Sequence, residues 1–196
     1  MKLLLSPTSP YVRKVRVLLH ETGLTVETEA QSSSPTDRNP VVGAANPLGK
    51  IPVLLTEALG PLYDSRVICQ YLDTLHDGPR LYPEGAARFV TLRREALADG
   101  VLDAALLVRY ESIRPEGLRW ADWAQGQTAK IRAGLAAMAG DLPEGLDIGA
   151  IAYGCALAYL DFRLADLDWR ADHPRLAAWE AEFSARPSMQ ATRIPA

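Results

Sequence analysis

Apolar residues recur at helical spacing along Val12, Val15, Leu18 and Leu19, with Arg13, Lys14, Arg16 and His20 between them, which predicts a helix over Tyr11 to Glu21. Pro10 suits its first turn, where a missing N–H removes no helical bond, and Gly23 suits its end. Ahead of it "KLLL" predicts a short strand over residues 2–5, and behind it the alternation of "TVETEA" predicts a second. The polar stretch "QSSSPTDRNPVVGAANPLGK" is too rich in Ser, Pro, Asn and Gly for long regular structure. "IPVLLT" and "PLYD" then read as two strands joined through "EALG", and "SRVICQYLDTLH" resumes a helical pattern through Val67, Ile68, Tyr71, Leu72 and Leu75. The predicted order is βαβ, loop, ββα.

The pattern changes near Pro79. "DGPRLYPEG" is a Pro- and Gly-rich linker, and everything after it is helical in period: residues 86–112, 119–140, 147–165 and 174–186, the last stopping before Pro187. The helix over 147–165 is apolar nearly all round and is expected at the buried centre of a bundle. The expected division is a first domain over 1–78, a linker over 79–87 and an all-helical domain over 88–196.

Composition narrows the class. The chain has 196 residues, 48% hydrophobic and 23% charged, enough for one good core or two small ones. A net charge of -3 gives no electrostatic reason to expect nucleic acid or an anionic membrane as a partner. The apolar part of "MKLLLSPTSP" is too short for a signal peptide, and no apolar run approaches the roughly 20 residues that span a bilayer, so a cytoplasmic protein is expected. Cys69 and Cys155 each lie in an apolar helical pattern, as buried thiols do. His20, His76 and His173 share no metal-ligand spacing with them or with one another, so no metal site is expected.

Three stretches carry candidate chemistry, and each has a plain structural reading beside a functional one. In "NPLGKIPVLL" a turn leads into an edge strand that tolerates Pro52; alternatively Ile51–Pro52 is a cis bond of the kind found where a chain meets a ligand. In "YDSRVICQYLD" Ser65 caps a helix whose positive end Asp64 stabilises. The same groups could hold a ligand carboxylate on the helix N-terminus while Asp64 pairs with an ammonium, the two charges of an α-amino acid head group. In "SPTSPYVRK" Thr8 or Ser9 caps the first helix. Alternatively Ser9 donates to an anion with the help of the helix dipole; a thiolate held that way has its pKa lowered from about 8.5.

Together and in this order, "SPYVRKVRVLLHE", "NPLGKIPVLL" and "DSRVICQYLD" resemble the three glutathione-contacting segments of the glutathione S-transferase family. The resemblance covers essentially the whole chain, and "RREALADGVLDAAL" is similar to small bacterial members. It implies a thioredoxin-like βαβ-ββα domain followed by an all-α helical bundle. By position, Ser9 matches the residue that contacts the glutathione sulfur in serine-type members, with Thr8 close enough to be an alternative. Lys50 matches a basic residue near a glutathione carboxylate, Ile51 the residue whose backbone pairs with the cysteinyl unit, and Pro52 the family's cis proline. Asp64 and Ser65 match the pair that holds the γ-glutamyl head group. Two features depart from the family. "DIGA" supplies Asp147 as a cap for the buried helix but Ala150 where a second capping residue is usual, and the loop over 31–45 matches no usable pattern, so its glutathione contacts stay unassigned.

The implied function is a glutathione S-transferase in which glutathione, as co-substrate, attacks a small electrophile near Tyr11, Arg109 and Tyr110, in a detoxifying homodimer. Tyr110 is equally read as ordinary helix packing, and Asp99 resembles an acidic residue that in some relatives reaches the neighbouring subunit's glutathione. Serine at position 9 cannot form a mixed disulfide, which argues against the reductions typical of cysteine-type relatives. The alternatives are a non-catalytic binding or regulatory protein of the same architecture and a specialised glutathione-dependent isomerase or dehalogenase.

Overall fold

The structure is a computed structural model that describes residues 1–32 and 34–195; Ser33, in the polar loop left unassigned above, and Ala196 lie outside the described residues. The chain forms two compact units. One comprises Met1–Tyr82 with Pro187–Ala196, the other Pro83–Arg186.

In the first unit, strands β1 (Lys2–Leu5), β2 (Glu27–Ala30), β3 (Val53–Thr56) and β4 (Gly60–Leu62) form one sheet in the order β2-β1-β3-β4. β1 and β2 are parallel and joined through helix α1 (Pro10–Thr22), a βαβ unit; β3 is antiparallel to both β1 and β4. The central strand β1 is buried on both faces, which is why it reads as a plain apolar run rather than an alternation. Leu4 pairs with Val53, and these two cluster with Val42 of the short helix α2 (Pro40–Ala45). Leu3 pairs with Leu54 on the opposite face. α1 and α3 (Ser65–Asp73) pack on each other, and Val12, Val15, Leu18, Ile68 and Leu72 complete the core.

The polar stretch after β2 is not featureless. Asn39 caps α2, accepting from the N–H groups of Val41 and Val42 at 2.9 and 3.2 Å. Six residues of helix fit between Pro40 and Asn46 because the proline takes the first turn and Asn46 leaves helical backbone.

In the second unit, α4 (Gly85–Ser112), α5 (Ala121–Gly140) and α6 (Ile148–Arg163) form the bundle, followed by α7 (Trp169–Asp172) and α8 (Pro174–Ser184). α6 is the buried centre: Ile148 through Leu157 are all below 9% exposed. Close approach to α4 requires Gly149, where an added Cβ would meet Arg94 Cβ at 2.8 Å and the Thr91 carbonyl at 3.2 Å. Asp147 caps α6 through Oδ1, which accepts from Ala150 N–H at 2.8 Å. With Ala150 in place of a second capping residue, its other oxygen instead accepts from Thr91 Oγ1 at 2.7 Å, so half of a local box is exchanged for a link between helices. Among the described residues no single helix is long and apolar enough to cross a membrane.

Pro187 does not end the helical structure. It opens α9 (Pro187–Ala191), which packs on α1 in the first unit.

Candidate functional site

Strand register decides which loops meet. Leu4 of β1 pairs with Val53 of β3, so the end of β1 lies beside the start of β3; Leu54 pairs with Leu62, so the end of β4 lies there too. The turn over residues 6–9, the Lys50–Pro52 approach to β3 and the Tyr63–Ser65 exit from β4 therefore gather at one end of the sheet. The polar segment that follows β2 starts there as well, since Leu5 pairs with Ala30 and accepts from Gln31 N–H at 2.7 Å. α1 and α3 both begin at this end, which directs two positive helix termini and their spare N–H groups toward it.

Ser9 caps α1. It has extended backbone, and its Oγ accepts from Val12 N–H at 3.3 Å. A serine used in this way accepts at its oxygen and keeps its O–H to donate elsewhere. Thr8 is differently engaged: its Oγ1 lies 3.3 Å from Ser6 Oγ, inside the turn that Ser9 N–H closes onto the Ser6 carbonyl at 3.0 Å. Of the two hydroxyls left open by the sequence, Ser9 is the cap.

Ile51–Pro52 is cis, as is Tyr63–Asp64. Pro52 is buried and Lys50 exposed. The segment is held by Asn46, which sequence reasoning passed over. At 2% exposed, it donates from Nδ2 to the Lys50 carbonyl at 2.8 Å and accepts at Oδ1 from Leu48 N–H at 3.0 Å. Gly49 completes the turn with φ of 64°, in the left-handed region. The signal was present as an Asn followed by Pro and, two residues later, Gly, a turn builder rather than a ligand contact.

At the third segment the structure corrects the capping assignment. Asp64, not Ser65, is the N-cap of α3: its Oδ1 accepts from Arg66 N–H at 2.9 Å, and Ser65 is the first helical residue, 2% exposed. Asp64 is exposed. A carboxylate satisfies a helix N-terminus better than a hydroxyl does, because it answers the dipole as well as the N–H groups.

The other singled-out residues are spread over both units. Tyr11 is half-buried on α1, and Arg109 and Tyr110 are half-buried near the end of α4. Asp99 is only 3% exposed, enclosed by its own chain. Among the described residues no group of three or more His, Cys, Asp and Glu side chains is arranged to hold a metal ion.

Residues 3–80 match the family model for the glutathione S-transferase N-terminal domain, and residues 121–182 that for the C-terminal domain. The chain is 35% identical over its full length to an uncharacterized GST-like protein, YibF, of Escherichia coli K12, covering 99% of it. The chain belongs to the glutathione S-transferase family. The family's fold accounts for both units, an α/β sheet unit and a helical one. A glutathione transferase family member from Pseudomonas fluorescens Pf-5, solved with bound glutathione, is 50% identical, with a TM-score of 0.96 over 100% of this chain and 99% of that one. A second structure from the same organism, with bound S-(propanoic acid)-glutathione, is also 50% identical, at a TM-score of 0.92 over all of both chains.

Proposed function

We propose that this protein is a glutathione transferase that binds reduced glutathione at the end of the sheet where α1 and α3 begin and transfers its sulfur to a small electrophile. The observation that carries this reading is Ser9: it caps α1 through its oxygen while its O–H stays able to donate to a thiolate. Support comes from the strand register, which gathers Ser9, Lys50, Ile51, Pro52, Asp64 and Ser65 at one end, and from the 50% identical relative solved with glutathione.

In this reading the γ-glutamyl carboxylate takes the α3 N-terminus and Ser65, its ammonium pairs with Asp64, the cysteinyl unit pairs with the Ile51 backbone and Lys50 answers the glycyl carboxylate. Ser9 and the α1 dipole favour the thiolate over the thiol. Two units of depression from about 8.5 correspond to about 2.7 kcal/mol and raise the thiolate at pH 7 from about 3% to about 75%. The thiol proton leaves to solvent and the thiolate attacks carbon, forming a C–S bond by addition or by displacing a leaving group. Binding supplies orientation, and the hydroxyl supplies charge stabilisation. The relative with S-(propanoic acid)-glutathione holds a thioether of this type, with a carboxylate on the added chain.

The protein acts in this reading as a cytoplasmic homodimer. Calorimetric titration with reduced glutathione, of wild type and of Ser65→Ala, tests the site: binding that weakens in the variant supports it, and no binding to wild type removes it.

A further inference from the structure

A polar corner lies inside the helical unit, where the first turns of α4 and α6 meet the end of α5. The Arg94 guanidinium of α4 donates through Nη2 to Asp141 Oδ1 at 2.6 Å, and its Nη1 stands 4.0 Å from Asp147 Oδ2. Thr91 Oγ1 donates to that same Asp147 oxygen, and Gly149 brings the α6 backbone against the Arg94 stem. Tyr153 follows Gly149 by four residues on the same face of α6 and is 0% exposed. Burial, aided by Asp141 and opposed by Arg94, pushes its hydroxyl up to about 12, so the phenol shares the electrostatic neighbourhood of the Arg94–Asp141 pair.

Two donors of this corner are buried and unpartnered among the described residues: Tyr153 Oη and Arg94 Nε. Other buried or half-buried aromatic donors of the unit have acceptors, Trp169 Nε1 on Asp161 at 2.9 Å and Trp179 Nε1 on the Pro143 carbonyl at 3.1 Å. The Tyr153 ring meets Trp179 edge-on with centres 6.1 Å apart, a contact that phenylalanine would make without burying a hydroxyl. Buried polar groups are paired with protein or with ordered water, so each of these two atoms requires a partner. Charge selects the kind of partner. Arg93 and Arg94 already face the carboxylates of Asp141 and Asp147, two charges of each sign, which leaves neither an anion nor a cation to be balanced. A neutral group that accepts from two donors and donates to a carboxylate fits.

We propose that Tyr153 Oη and Arg94 Nε hold one internal water molecule between α4 and α6, whose oxygen accepts from both and whose hydrogen goes to the Asp141 carboxylate. Three hydrogen bonds are the usual number for a buried water, and a polar surround is what keeps one in place. The water makes a tyrosine at position 153 compatible with complete burial and joins the two helices at a point where no direct bond does. The site goes beyond the glutathione reading and does not depend on it.

A crystal structure of the full chain, at a resolution that orders internal waters, tests the assignment together with NMR of the arginine Nε–Hε groups. A density peak is expected about 2.7–3.2 Å from both Tyr153 Oη and Arg94 Nε. Arg94 Hε is expected to show cross-peaks to water of opposite sign in laboratory- and rotating-frame spectra, the mark of a held water as opposed to proton exchange. Tyr153→Phe is expected to lose both the peak and the cross-peaks, whereas Arg132→Gln, whose partner is Asp172, keeps them. Circular dichroism melts establish that the variants are folded; where Tyr153→Phe is not, the two wild-type readouts decide alone. A wild-type structure with no peak, or with Tyr153 Oη and Arg94 Nε bonded directly to protein acceptors, overturns the proposal. So does a peak that persists unchanged in folded Tyr153→Phe, which takes the phenol out of the site. Anomalous scattering at the peak from crystals soaked in bromide makes the occupant an anion and overturns it as well.

Discussion

The Arg13 guanidinium donates through Nη2 to the Met189 carbonyl at 3.1 Å, joining α1 to α9 across 176 positions of sequence. Its Nε reaches Thr192 Oγ1 at 3.5 Å, and Ser188 Oγ donates to the Glu21 carboxylate near the other end of α1. The C-terminal segment thus clamps, at two points, the helix that begins after Ser9.

Arg13 is 5% exposed, so replacing it leaves a buried carbonyl without its donor. Arg13→Met is expected to cost about 1–3 kcal/mol, and Thr192→Val about 1 kcal/mol. Urea denaturation measures both. An Arg13→Met midpoint equal to that of wild type would refute the clamp.

Asp73, at the end of α3, holds the segment that follows. Its 4% exposed carboxylate accepts from Leu81 N–H at 2.8 Å and Tyr82 N–H at 3.2 Å, and from His76 Nε2 at 3.1 Å. His76 Nδ1 accepts from Gly78 N–H at 3.1 Å, which assigns the ring proton to Nε2. Asp73→Ala strands two buried backbone donors and is expected to cost about 3 kcal/mol, with Asp73→Asn costing less because one acceptor remains. Thermal melts of the two variants should separate by several degrees. Coincident melts would mean that the 81–82 segment finds other partners.

Asp141 links stability to pH. The Arg94 guanidinium at 2.6 Å, aided by Arg93, holds its carboxyl below the ordinary aspartate value of 3.8. A carboxyl depressed on folding stabilises fully above its unfolded value and loses that contribution as pH falls through its folded one. Both partners touch solvent, so the effect is about 1 kcal/mol or less. Denaturation midpoints of wild type and Asp141→Asn should differ at pH 7 and draw together as pH falls below the ordinary aspartate value of 3.8 and through the lowered value of the folded carboxyl. A gap that widens in acid would contradict the assignment.

Legibility in the sequence followed the range of the interaction. The helical period from Val12 to Leu19 and the apolar run of α6 were readable because burial imposes them residue by residue. The α2 helix was not, since six residues capped by Asn39 and opened by Pro40 carry too little periodicity to stand out from a polar loop. Residues of the candidate site lie in three stretches whose turn and cap signals were visible, but Asn46 as the organiser of one, and Asp64 rather than Ser65 as the cap of another, depended on backbone geometry. Nothing local in "PSMQAT" marks it as packing on α1, because the partners of Met189 and Thr192 lie far away in the chain.

Under the proposed function the chemistry rests on a single hydroxyl, Ser9, and removing it is expected to separate capping from catalysis. Ser9→Ala withdraws the acceptor for Val12 N–H, a loss of about 1 kcal/mol that leaves the protein folded. Under the proposed function glutathione still binds, because its carboxylates and ammonium are held elsewhere, but the bound thiol returns toward about 8.5. Ultraviolet titration of the bound thiolate should register a rise of about one to two units, and turnover of a model electrophile at pH 7 should fall by about 3- to 25-fold, following the thiolate population. Raising the pH should recover much of that loss in the variant, because hydroxide then does what the serine did. Thr8→Ala is the control, with thiol pKa and turnover unchanged. If instead Thr8→Ala moves both and Ser9→Ala moves neither, the sulfur contact belongs to Thr8 and Ser9 is a helix cap alone.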